Sequence, residues 1–282
     1  MTTAAVQHFL ARCVVDPPFL DLARNDLQRA LSGLDLTGQE RREFLGLDLN
    51  RVRTFAGFVT KVQNNTLWHT FPYTRLLVDH YGLDLELFSA YQAQHQCDRT
   101  DRVDRNQRTR HFAAFFPGWL ASIGTTHYPG LLDLFQHERI WFEQRLALQA
   151  SLPDQGRPID PTLLDQEGRA ADSLVPCIRG LLLIESFAHD PAHVIQALQT
   201  DRRALADLTA SPRLLAYWGD RDSLQLRIFE VDVHLCDLLG RVDGGHTLGQ
   251  LLPAGDNPLR SALRTAVRRM AEVGVLTFHE ED

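Results

Sequence analysis

The sequence predicts an α+β protein: a helical N-terminal domain followed by a small antiparallel sheet plus three helices. Three observations predict it. Helical spacing and helix caps recur through the first 150 residues, and no strand-like alternation of any length appears before residue 170. A stretch rich in Pro, Gly and acid, SLPDQGRPIDPTLLDQEGRAADS (Ser151–Ser173), then interrupts the pattern. Beyond it lie short apolar runs with polar breaks, followed by three capped helix signals and a strand-like end. The expected organisation is a helical domain over 1–150, a linker over 151–173 and a second domain over 174–282.

The elements follow in order. DPPFLDLARNDLQRAL offers Asp16 as a helix cap, with Pro17 and Pro18 where a first turn tolerates proline. In DLTGQERREFLGL, Thr37 and Glu40 have capping-box spacing. LDLELFSAYQAQHQ puts Leu83, Leu87, Ala90 and Tyr91 on one helical face, and PGLLDLFQHERIWFEQRLALQ does so with Leu131, Phe135, Phe142 and Leu146. Between them, CDRTDRVDRNQRTRHF pairs Asp98 with Arg102, Asp101 with Arg105 and Asp104 with Arg108, the spacing of an exposed helix face or of a docking surface. In the second domain VPCIRGLLLIESFAHD, SPRLLAYWGD and SLQLRIFEVD read as strands, with GDRDS as the turn between the last two. Asp232, the Thr247/Gln250 box and Asn257-Pro258 open three helices, and Gly274 stops the third before VLTF. Strands, then three helices, then a β tail read as a winged-helix-like module.

Composition excludes several classes. No run of eighteen apolar residues spans a membrane, and the start lacks a basic segment ahead of an apolar one, so no export signal is expected. Cys13, Cys97, Cys177 and Cys236 lie far apart with no CxxC, which points to thiols in a reducing cytoplasm. A net charge of −7 makes a general nucleic-acid binder unexpected. GxSxG, the P-loop, GxGxxG and HExxH are all absent, and no catalytic residue is assigned.

Some residues nonetheless invite chemistry. His189 and His193 have metal-pair spacing, but Pro191 between them marks a helix start. His127, His137 and Glu138 form a looser set. Arg260, Arg264 and Arg268 form a basic stripe beside the apolar row of the last long helix. Such a stripe serves a solvated face, reads DNA in a winged helix, or grips carboxylates of an acidic peptide. VTKVQNNTLWHTFPYTRLLVDHYG (Val59–Gly82) is polar at its centre and aromatic after it, yet pairs no nucleophile with a base. Phe55, Phe58, Val62, Leu67 and Phe71 in and before it fit core positions on consecutive helices.

VQNNTLWHTFPYTRLLVDHYGLDLELFSAYQAQH and RHFAAFFPGWLA resemble the helical half of partner proteins of multinuclear non-haem iron oxidases. VPCIRGLLLIE, LRIFEVDVHLCDLLGRVDGGHTLGQLL and MAEVGVLTF resemble their second half, which is similar to the winged-helix peptide-binding module of ribosomal-peptide biosynthesis. The likeness is nearest to the 3-thiaglutamate type.

The resemblance implies a non-catalytic protein that binds a TIM-barrel oxidase and presents a precursor or carrier peptide to it. Iron is expected in the oxidase and no cofactor in this chain. In the 3-thiaglutamate type, the complex excises the β-carbon of a terminal cysteine and leaves 2-mercaptoglycine. The peptide is expected to add as a strand between Leu224–Phe229 and Leu259–Val273. Leu224, Leu226, Ile228, Phe229, Arg260, Arg264, Val267 and Arg268 are the expected peptide contacts. Asn64, Asn65, Trp68, His69, Tyr73 and Arg75 are the expected oxidase contacts, Trp, Tyr and Arg being common interface anchors. A winged-helix DNA-binding regulator and an autonomous histidine metalloenzyme stay open as alternatives.

Overall fold

A computed structural model describes residues 3–32, 34, 36–94, 104–150, 169–255 and 257–280. The Asp98/Arg102 and Asp101/Arg105 pairs and most of the expected linker lie outside the described residues. The chain forms two compact units, Met1–Leu132 and Asp133–Asp282. It is a mixed α+β protein, and no described helix is long and apolar enough to cross a membrane.

The first unit is helical: α1 (Thr3–Val15), α2 (Pro17–Asn25), α3 (Leu27–Leu31), α4 (Gly38–Leu45), α5 (Leu49–Trp68), α6 (Pro72–His80), α7 (Asp84–Gln94) and α8 (Arg105–Ile123). Asp16 caps α2 by accepting from the Phe19 amide. The apolar period across residues 16–31 suggests one helix, but Asp26 ends α2 and its carboxylate accepts from Arg29 N to start α3. One core gathers Phe9, Cys13, Phe19, Leu20, Leu31 and Phe44, with Phe9 edge-on to Phe19 and Phe44. A second aromatic group forms where α5, α7 and α8 meet: Trp68, Phe88, Tyr91, Phe112 and Phe116.

The second unit contains α9 (Leu131–Ala150), α10 (Arg169–Asp172), β1 (Leu174–Ile178), β2 (Leu181–Phe187), α11 (Pro191–Thr200), β3 (Arg213–Gly219), β4 (Leu226–Val231), α12 (Val233–Gly240), α13 (Leu248–Leu251), α14 (Pro258–Glu272) and β5 (Leu276–Glu280). The unit boundary falls just inside α9. The helix that sequence reading grouped with the helical domain therefore belongs almost wholly with the strands.

Among the described residues two antiparallel sheets form, β1-β5 and β2-β3-β4. The apolar run VPCIRGLLLIESF reads as one strand, but Arg179–Gly180 divides it between the sheets. Gly180 makes that break possible. Its φ is +82°, and a Cβ there would sit 2.2 Å from the Gly219 carbonyl oxygen.

The three-stranded sheet is covered on both faces. Leu182, Ile184, Leu214, Ala216, Phe229 and Val231 point into a core shared with α12, α13 and α14. Leu183, Phe187, Leu215, Tyr217, Leu226 and Ile228 point the other way, to Ile140 of α9. Register confirms the two sets: Ile184 and Phe229 flank Ala216, while Leu183 and Ile228 flank Tyr217. Burial on both faces explains why these strands read as continuous apolar runs rather than alternating ones. Helix α9 runs so close that a Cβ on Gly219 would come within 2.8 Å of Leu148.

The expected caps of the last three helices are present. Asp232 accepts from Leu235 N, Thr247 and Gln250 exchange a full capping box, and Asn257 accepts from Arg260 N ahead of Pro258. Gly274, at φ +87°, follows α14 and turns the chain into β5.

Candidate functional site

Among the described residues β4 lies at one edge of its sheet and pairs with β3 alone. Its amide directions follow from the hairpin. Asp220 N donates to Gln225 O, and the register pairs Trp218 with Arg227, Ala216 with Phe229 and Leu214 with Val231. Those pairs bond inward, so the N–H groups of Leu226, Ile228 and Glu230 point to the edge that carries no strand partner among the described residues. An extended peptide needs such a row of donors and acceptors in order to add as a strand.

The expected peptide contacts divide around this edge. Leu224 precedes the strand. It sits in the turn at φ 55° and is 55% exposed, because Asp220 closes that turn through Asp222 N and Ser223 Oγ. Leu226 and Ile228 already pack toward α9, and Phe229 and Val267 are in the opposite core. The strand therefore offers its backbone and the ends of partly covered side chains, not empty apolar pockets.

The arginine stripe is also not an open carboxylate reader. Arg260 donates to Asp172 at 2.8 Å and to the Pro253 carbonyl at 2.6 Å, and Arg264 donates to the other Asp172 oxygen. Arg268 bonds Glu272 at 3.0 Å, one turn on. All three expected peptide-binding arginines thus grip a carboxylate of this chain, two of them the same one. The same occupation weighs against reading DNA through this helix.

Sequence reasoning missed Asp172 because it lies at the end of an acidic, proline-rich stretch, 88 residues from Arg260. No local pattern joins the two. The clasp ties α10 and the start of β1 to α14, and Gly249 of α13 lies close against it, where a Cβ would come within 3.0 Å of Asp172. All three side chains are 16–32% exposed, so solvent screens the pairs in part. Asp172→Ala is expected to cost about 2 kcal/mol, because it strands two half-buried guanidinium groups. Urea unfolding checks this, and an unchanged midpoint would show that the clasp adds nothing.

In the helical unit the expected oxidase contacts also separate. Asn65 and His69 are exposed, Tyr73 and Arg75 are half-buried in α6, and Asn64 lies within α5. Trp68 is a correction: it is 3% exposed and packs edge-on against Phe88 and Phe112. It is core, because α7 and α8 bring aromatic rings to it. The opposite surprise is in the first half of α5. Phe55 and Phe58, which fit core positions by spacing, are 58% and 62% exposed, and exposed Leu85 lies against Gly57 between them.

The histidines have local partners. His189 Nδ1 lies 2.8 Å from Asp133, which also accepts from the Ala188 and His189 amides. His193 is 61% exposed beside Asp190, the cap of α11. His137 Nδ1 lies 2.8 Å from the Tyr217 hydroxyl. Burial pushes His137 down to about 4, with Asp190 opposing, and pushes Tyr217 upward. Among the described residues no group of three or more His, Cys, Asp or Glu side chains is arranged to hold a metal ion.

No protein-family model matches the sequence, and no curated protein matches it.

Proposed function

We propose that this chain is a non-catalytic partner protein. It docks a TIM-barrel multinuclear non-haem iron oxidase through its helical unit and presents a cysteine-bearing precursor or carrier peptide on a winged-helix-like second unit. The observation that carries the reading is the edge of β4, with the N–H groups of Leu226, Ile228 and Glu230 directed away from the sheet. Support also comes from α14, whose Leu263 and Val267 share a core with β4 and hold that strand in place. Iron belongs to the oxidase in this reading. Affinity comes from main-chain hydrogen bonds, since the arginines of α14 are engaged by Asp172 and Glu272.

The test uses Glu230, an exposed residue whose side chain bonds Arg213 at the surface. Glu230→Pro deletes one outward amide on an edge strand, where proline is tolerated. Glu230→Ala keeps that amide and removes the same ion pair. Binding of the carrier peptide co-encoded with the oxidase is expected to weaken about fivefold in the proline variant, one hydrogen bond's worth, and to stay near the original value in the alanine variant. Equal affinities in both variants would place the peptide elsewhere. Co-purification with the oxidase, with iron assayed in each chain, tests the docking half. Iron held by this chain alone would overturn it.

A further inference from the structure

We propose that Cys177 is a reactive thiol that captures small-molecule disulfides by thiol–disulfide exchange, with His279 as the base that takes its proton. The inference is independent of the peptide reading. The β1-β5 ribbon sends Leu174, Leu276 and Phe278 into the core. Alternation therefore puts Val175, Cys177, Thr277 and His279 together on its other face. Cys177 pairs with Thr277 and Val175 with His279, so Cys177 and His279 are diagonal neighbours. Their Sγ and Nδ1 atoms lie 3.6 Å apart, within reach of a sulfur hydrogen bond.

The loop after α12 approaches the thiol at Gly244. A Cβ on Gly244 would lie 3.1 Å from Cys177 Sγ, and at φ +76° glycine suits the position on both counts. Arg241, Asp243 and His246 of this loop, with Gly240, Gln250 and Leu251, line an open cavity of about 360 Å³. Asp243 holds His246 Nδ1 at 3.0 Å through both oxygens and accepts from Gly245 N at 2.8 Å. Arg241 bonds the Leu251 carbonyl. His279 on β5, and Arg241, Asp243 and His246 on the loop that carries Gly244, are the titratable and charged groups of the two elements next to the thiol.

The other described cysteines lack this setting. Cys13 is fully buried, and its thiol is pushed up to about 11. Cys236 packs against an apolar core. Thiolate character and access together decide thiol reactivity. Cys177 is partly exposed and has an exposed base at hydrogen-bond distance.

The step balances without another reagent. The Cys177 proton passes to His279, and the thiolate attacks one sulfur of the incoming disulfide. A Cys177–sulfur bond forms as the original S–S bond breaks, and the departing sulfur leaves as a thiolate that takes up a proton. Cys177 is oxidised to a mixed disulfide, and the released half is reduced to a thiol.

The full chain would be treated with oxidised glutathione, and separately with dithiobis(nitrobenzoate), near neutral pH, and the adducts mapped by peptide mass spectrometry. Cys177 is expected to react about tenfold faster than Cys13 and Cys236, and His279→Gln is expected to slow it about fivefold. His279 is exposed, so circular dichroism should be unchanged in that variant. Cys177→Ser should abolish the fast phase. A Cys177 rate equal to that of Cys236, a fast phase that maps to Cys97, or a rate unmoved by His279→Gln would overturn the proposal.

Discussion

Trp68→Ala is expected to destabilise the helical unit by about 3–5 kcal/mol, the range for emptying a large aromatic site in a packed core. The indole is 3% exposed, with its ring centroid 5.1 Å from Phe88 and 6.0 Å from Phe112. Truncation would leave a cavity where three helices meet. A domain holds only about 5–15 kcal/mol in total, so the unit would be near unfolding at physiological temperature. The exposed neighbours should behave differently. Asn65→Ala and His69→Ala are expected to change stability by about 0.5 kcal/mol or less, so any loss of oxidase binding in them reports on contact alone. Thermal melts of the three variants, read beside co-purification yields, separate core from surface. A Trp68→Ala variant that melts like the parent but no longer co-purifies would return Trp68 to the interface.

The protein is also expected to lose stability as pH falls from about 6.5 to 4 through His137. Burial lowers its pKa from the ordinary value to about 4, so the folded chain keeps it neutral where the unfolded chain already protonates it. Above pH 6.5 neither state binds the proton, and His137 imposes no penalty. Below that the unfolded state gains protons first, so stability drops, levelling off near the folded value. A lowering of this size corresponds to about 3 kcal/mol at most. His137→Gln, which can still bond the Tyr217 hydroxyl, should remove this component. Urea midpoints of parent and variant should therefore diverge between neutral and mildly acidic pH. Parallel pH curves would show that the His137–Tyr217 pair opens before it protonates.

Much of the architecture was legible because its signals act over a turn or a hairpin. Asp16, Asp232, Thr247 with Gln250 and Asn257-Pro258 each bond an amide three residues away, and all of these caps are present. The turn over GDRDS closes through Asp220, as its composition suggests. The candidate site was legible only in part. The edge strand and the helix beside it were readable, but the state of the side chains on them was not. Leu224 fell in the turn, and spacing along α14 shows a stripe of arginines without showing what already fills it.

The sequence by itself determined the helical first half, the onset of strands after residue 170, the two-sided apolar character of β2 and β3, and the capped run of α12, α13 and α14. Each is set by backbone and side-chain chemistry among near neighbours in the chain. Only the tertiary structure decided the rest. It assigned α9 to the sheet, put Trp68 inside and Phe55 and Phe58 outside, gave Arg260 and Arg264 to Asp172, and set Cys177 beside His279. These partners lie far apart along the chain, 102 residues in the last case. Periodicity tells which face of an element is apolar. It does not tell which element will cover that face or which charge will meet it, because that choice is made by packing among all the faces at once.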